Sequence, residues 1–154
     1  MEKIKETLAK ANRLFNTVDH LAYVTYPLIN DTKLIINITE NLYNSLVMFV
    51  DALIEYERMY KRIPPLAENF ESRFDTFKNK CAPRYNIKRE HIVLINDLKK
   101  LVALRKKSSM EFVRKDKFVI CNEDYKTYSL SIDKVKQYIK DSKEFVERIN
   151  KVVK

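Results

Sequence analysis

Residues 34–54 read LIINITENLYNSLVMFVDALI, and the spacing of their apolar side chains decides the fold. Leu34, Ile38, Leu42, Leu46, Phe49, Leu53, Tyr56 and Tyr60 fall at steps of three and four, one line along a helix. Ile35, Tyr43, Val47, Val50 and Ile54 make a second line beside it. Two adjacent lines describe a helix covered over most of its circumference, which belongs at the centre of a bundle. The segment also carries Glu40, Asp51 and three asparagines, so it is too polar to be a lone bilayer span. Pro64 and Pro65 must end it by Ile63, because proline can neither continue a helix nor donate its hydrogen bond.

The same reading extends outward. Ile4, Leu8, Ala11, Phe15, Val18 and Ala22 predict an amphipathic helix over 3–26, closed by Pro27, with Asp31 as the cap of the central helix. Phe70, Phe74 and Phe77 give a shorter helix over 67–80 with an aromatic edge, and Pro83 breaks the chain after it. Leu94, Leu98 and Leu101, with Ile92, Ile95 and Val102, predict a helix from Ile87 to about Lys107. The last helix starts near Ile132, capped by Ser131 and carrying Val135, Ile139, Phe145 and Ile149 inward. Between these two, residues 111–120 (EFVRKDKFVI) place β-formers on either side of Lys115-Asp116, and residues 127–131 (TYSLS) offer a third short run. The expectation is a mainly α protein: an antiparallel bundle of about five helices with a small β-hairpin inserted before the last one. A single domain over 1–154 accommodates it.

Composition narrows the function. The chain contains no glycine, and glycine normally supplies the backbone of phosphate-cradling loops. P-loop, dinucleotide-binding and glycine-rich kinase chemistries lose nearly all their weight, and G-x-S-x-G nucleophile elbows are excluded. Turns must use Pro, Asn and Asp instead. Cys81 and Cys121 lie far apart without metal spacing, and the charged N-terminus MEKIKETLAK carries no apolar leader. Reduced thiols and a cytoplasmic location are the expectation. Asp19 and His20 are neighbours that point about 100° apart on a helix, so they form neither a dyad nor a metal site. No metal and no cofactor are expected.

Charge is distributed unevenly. Residues 1–77 sum to −2, residues 118–154 to +2, and residues 78–117 to +9, with 13 Lys/Arg against 4 Asp/Glu. Segregation of this kind suits a polyanion-binding face. Lys99, Lys100, Arg105, Lys106, Lys107, Arg114, Lys115 and Lys117 are the candidate nucleic-acid contacts, with Phe112 and Tyr85 as bases' stacking partners. The competing reading is a solvated lysine face that favours a helix C-terminus and protects a strand edge.

One pattern suggests catalysis. Residues 84–91, RYNIKREH, place Arg84 and His91 with six residues between them at the start of a bundle helix. This resembles the R-x(4–6)-H motif of HEPN-domain proteins, all-α and often dimeric bundles of which many are metal-independent ribonucleases. The resemblance implies that Arg84 holds a scissile phosphate while His91 moves the proton of the 2′-hydroxyl.

The leading functional expectation is a non-catalytic helical module whose basic face binds RNA or a ribonucleoprotein. The alternatives are a HEPN-like ribonuclease and a structural bundle. The latter would self-associate as a homodimer through Phe70, Phe74 and Phe77 or through the terminal helices, or meet an acidic protein surface. A membrane partner is not expected.

Overall fold

The computed structural model describes residues 1–65, 68–108 and 110–153. The order of elements is α1 (Glu2–His20), α2 (Tyr26–Ile29), α3 (Lys33–Met59), α4 (Phe70–Thr76), α5 (Arg89–Lys106), β1 (Met110–Arg114), β2 (Lys117–Cys121), β3 (Thr127–Leu130) and α6 (Ile132–Val153). The protein is mainly helical, with a three-stranded antiparallel sheet before the last helix, as the sequence predicts.

α3 is the central helix. Ile35, Ile38, Leu42, Leu46, Phe49, Leu53 and Ile54 are sealed from solvent, and α1, α5 and α6 pack around it. Burial of such side chains stabilises by roughly 1.5–3 kcal/mol each, which makes this helix the main hydrophobic anchor. Polar ties help fix its neighbours: the Ser45 hydroxyl donates to the Ala11 carbonyl at 3.0 Å, and Arg73 Nε donates to Asp51 Oδ1 at 3.1 Å.

The first helix does not stop at Pro27. A π-helical turn at Leu21–Thr25 joins α1 to α2, and the chain stays helical until Asn30 adopts φ 53°. The widened turn makes room for the pyrrolidine ring, whose missing N–H costs nothing at the start of α2. A second π turn, Phe77–Cys81, extends α4. Residue 67, where the sequence places the start of that helix, lies outside the described residues; the Asn69 side chain caps it by accepting from Ser72 N at 2.8 Å. α5 begins at Arg89, two residues later than its apolar pattern suggests.

Phe74 and Phe77 are buried, and their rings continue the Phe70 stack inward to Phe145 of α6. The aromatic edge predicted from the sequence is therefore spent inside the chain, with only Phe70 half-exposed beneath the Lys99 ammonium.

In the sheet, β1 and β2 pair around Arg114↔Lys117, and β3 pairs β2 with Phe118 opposite Leu130. Phe118, Ile120 and Leu130 join the core, and Lys115 turns the hairpin at φ 57°. Among the described residues the glycine-free chain makes five such left-handed turns, at Asn30, Lys61, Asn86, Lys115 and Tyr125.

Candidate functional site

The residues predicted to contact nucleic acid divide by what they touch. Arg105 Nη1 lies 2.6 Å from Glu40 Oε1 and its Nε lies 3.1 Å from Glu111 Oε1, tying α5 to α3 and β1. Lys99 Nζ lies 2.8 Å from Glu71 Oε1, and that hydrogen bond holds the Glu71 carboxyl below its ordinary pKa. Lys100, Lys106, Lys107, Arg114, Lys115 and Lys117 make no ion pair among the described residues.

Those six cations occupy two places. Arg114, Lys115 and Lys117 crown the hairpin tip. Lys106 and Lys107 sit at the end of α5, with Lys100 less than two turns before them, and that end lies roughly 14 Å from the tip if β1 rises about 3.4 Å per residue. Here a cavity of about 650 Å³ opens, with the three lysines on one wall and Asn122, Glu123 and Asp124 on the other. The second wall is locally determined. Asn122 Oδ1 accepts from the backbone N–H groups of Asp124 and Lys126 at 3.0 and 2.9 Å, closing an Asx-type turn with Tyr125 at φ 62°.

A neighbouring cavity of about 470 Å³ is lined by Asp97, Leu101, Tyr128, Lys134 and Tyr138, and Lys100 and Leu104 line both. The pair makes one groove along α5, cationic at the helix end and aromatic beside α6. Tyr128 is 42% exposed, whereas burial, with the Asp97 charge, pushes the Tyr138 hydroxyl above its ordinary pKa. Sequence reasoning missed Tyr128, Lys134 and Tyr138. The signal was present for Tyr128, because the TYSLS run puts it two residues from the inward Leu130 on the same face.

Phe112 pairs with Val119 on the other face of the sheet, beside the Arg114–Lys117 pair, and is half-exposed. Tyr85 belongs to a different neighbourhood. Its hydroxyl accepts from Arg62 Nη1 at 3.0 Å, and burial together with the Glu57 carboxylate pushes its pKa up to about 12.

Arg84 and His91 also face different carboxylates. Arg84 Nη1 lies 3.4 Å from Glu57 Oε2, and Arg62 Nη1 lies 3.6 Å from the same oxygen. Glu57 is only 1% exposed, so an acid on the central helix is sustained by two arginines from other segments. His91, 5% exposed, packs its ring on Phe145 and turns Nε2 toward Glu144 Oε2 at 3.8 Å; its Nδ1 has no hydrogen-bond partner among the described residues. Burial lowers the His91 pKa, although Glu144 and Glu90 pull it upward. Lys88 Nζ sits 3.1 Å from Glu144 and 3.8 Å from Glu90, and its hydrogen bond holds Glu144 below the usual carboxylate range.

Both cysteines are thiols, Cys81 buried and Cys121 half-buried. Among the described residues no helix is long and apolar enough to cross a membrane. No protein-family model matches the chain, and neither a curated protein nor a solved structure shows significant similarity to it.

Proposed function

We propose that the chain is a non-catalytic module that binds single-stranded RNA along the α5 groove and the hairpin tip. The observation that carries this reading is the set of six cations left without ion pairs among the described residues, while their neighbours Lys99 and Arg105 are neutralised. Phosphates suit Lys100, Lys106 and Lys107, and the Tyr128 ring beside them offers a stacking surface for an unpaired base. Glu123 and Asp124 across the cavity repel phosphate but accept hydrogen bonds from base amino groups, which favours a splayed strand over a duplex backbone.

The test is fluorescence anisotropy with a short single-stranded RNA over a salt series. Reversing Lys100, Lys106 and Lys107 to glutamate should weaken binding and reduce the log K against log salt slope by roughly two, three contacts at about 0.7 each. If wild type shows no salt-dependent RNA affinity but captures an acidic protein or dimerises in light scattering, the groove serves a protein surface instead.

The HEPN-like ribonuclease reading keeps Arg84 and His91 as its pair. It would require Arg84 to exchange Glu57 for a phosphate and the buried His91 imidazole to reach a 2′-hydroxyl, so the geometry favours binding. Metal-free cutting of RNA, lost in His91→Ala, would reverse that order.

A further inference from the structure

We propose that Glu90, His91 and Glu144 form a binding site for a divalent cation of the zinc type, in which the metal takes the place now held by the Lys88 ammonium. The ligand atoms of the three residues all lie within 4.8 Å of one another. Zinc bonds of about 2.0–2.2 Å in a tetrahedron need ligand atoms about 3.4 Å apart, so closure asks for movements of roughly 1 Å. The His91 ring is rigid, wedged against Phe145 in the first turn of α5, and its Nε2 points at Glu144 without a hydrogen bond. Its burial, with the ring Nδ1 lacking a hydrogen-bond partner among the described residues, is unexpected for a merely structural histidine. The two glutamates are the mobile partners, exposed and long enough to close on an ion anchored at Nε2.

The charges around the site favour the assignment in one respect and oppose it in another. Lys88 bridges both carboxylates, at 3.1 and 3.8 Å, which marks the point between them as one that attracts positive charge. Lys88 is half-exposed on a flexible stem and can swing into water when a dication arrives. Arg148, 3.5 Å from Glu144 Oε1, and the N-terminal end of α5 both repel a metal, so the affinity should be modest. One imidazole and two carboxylates leave the fourth tetrahedral position to water, and this donor set suits zinc better than the all-oxygen ions.

Isothermal titration of the full chain with Zn²⁺, in a buffer that does not bind the metal, tests the proposal. The expected result is one Zn²⁺ per chain, with affinity falling at least about tenfold in Glu144→Gln and in Glu90→Gln. Lys88→Met should tighten binding by roughly two- to fivefold, because it removes the competing charge. His91→Asn should abolish the site; if that variant fails to fold, the two exposed glutamates decide alone. Absence of binding by wild type overturns the proposal. So does Zn²⁺ binding that Glu90→Gln and Glu144→Gln leave unchanged, which would place the metal elsewhere, and unchanged or weaker binding in Lys88→Met removes the exchange with Lys88.

Discussion

Arg105 and Glu40 meet at 2.6 Å, joining the last turn of α5 to the first half of α3. The hydrogen bond from this guanidinium keeps it firmly protonated, and Glu111 takes its second edge. An arginine held this way ties α5 to α3 and β1, and its two carboxylates compete with phosphate for it. Arg105→Ala should cost about 1–2 kcal/mol in urea denaturation, the scale of a lost charge-assisted hydrogen bond. The salt slope of RNA binding should stay near the wild-type value, and a slope that flattens as in the Lys100/Lys106/Lys107 reversal would return Arg105 to the interface.

Tyr128 and Tyr138 share a groove but not a role. Tyr128→Ala should weaken RNA binding by about 1–3 kcal/mol while moving stability by about 0.5 kcal/mol or less, because the ring is largely outside the core. Tyr138→Ala should chiefly lower the melting temperature, since its ring packs against the core. Anisotropy and thermal denaturation of the two variants, side by side, separate these outcomes.

Glu57 has two arginine partners, and each can partly substitute for the other. Arg62→Ala or Arg84→Ala alone should cost roughly 1 kcal/mol, because one guanidinium still compensates the buried carboxylate. The double variant should cost about 3–5 kcal/mol, well beyond the sum, as an uncompensated buried charge does. Chemical denaturation of the three variants measures the excess, and simple additivity would show that water already shields Glu57.

Cys81 is a proton-linked element of stability. Burial pushes its thiol from 9.0 to about 11, with the Glu57 charge adding to the effect. The folded state therefore holds a proton that the unfolded chain releases, so this contribution is intact below pH 9.0 and declines up to about pH 11. Cys81→Ala should flatten the alkaline limb of the stability curve. At pH 8 an alkylating reagent should modify Cys121 well before Cys81, and mass spectrometry of the labelled peptides would reveal equal rates if the core opens readily.

The helices were legible because their apolar periods are long and regular. Residues 34–54 announce a central helix, and burial of Ile35, Ile38, Leu42 and Leu46 follows their spacing. The hairpin was legible too, from β-formers around Lys115-Asp116. Pro27 misled because a proline is tolerated in the first turn of a helix, and here a π turn leads directly into such a turn. The candidate site was legible as a charge total and not as a set of contacts. Whether a lysine is paired depends on acids far away in sequence, as Glu40 is from Arg105 and Glu71 from Lys99. The same distance hid Glu57 with Arg84, and Glu144 with His91.

A chain that never uses glycine leaves Lys61 and Tyr125 in a backbone shape that suits neither. Side chains with a β-carbon pay roughly 1–2 kcal/mol for that geometry, whereas asparagine tolerates it through local hydrogen bonds. Lys61→Asn thus offers a route to a hardier protein that touches neither the core nor the groove, and Tyr125→Asn eases the turn that carries the groove's acidic wall. Such a background would let the riskier substitutions at Glu57 and His91 be studied in a molecule that still folds.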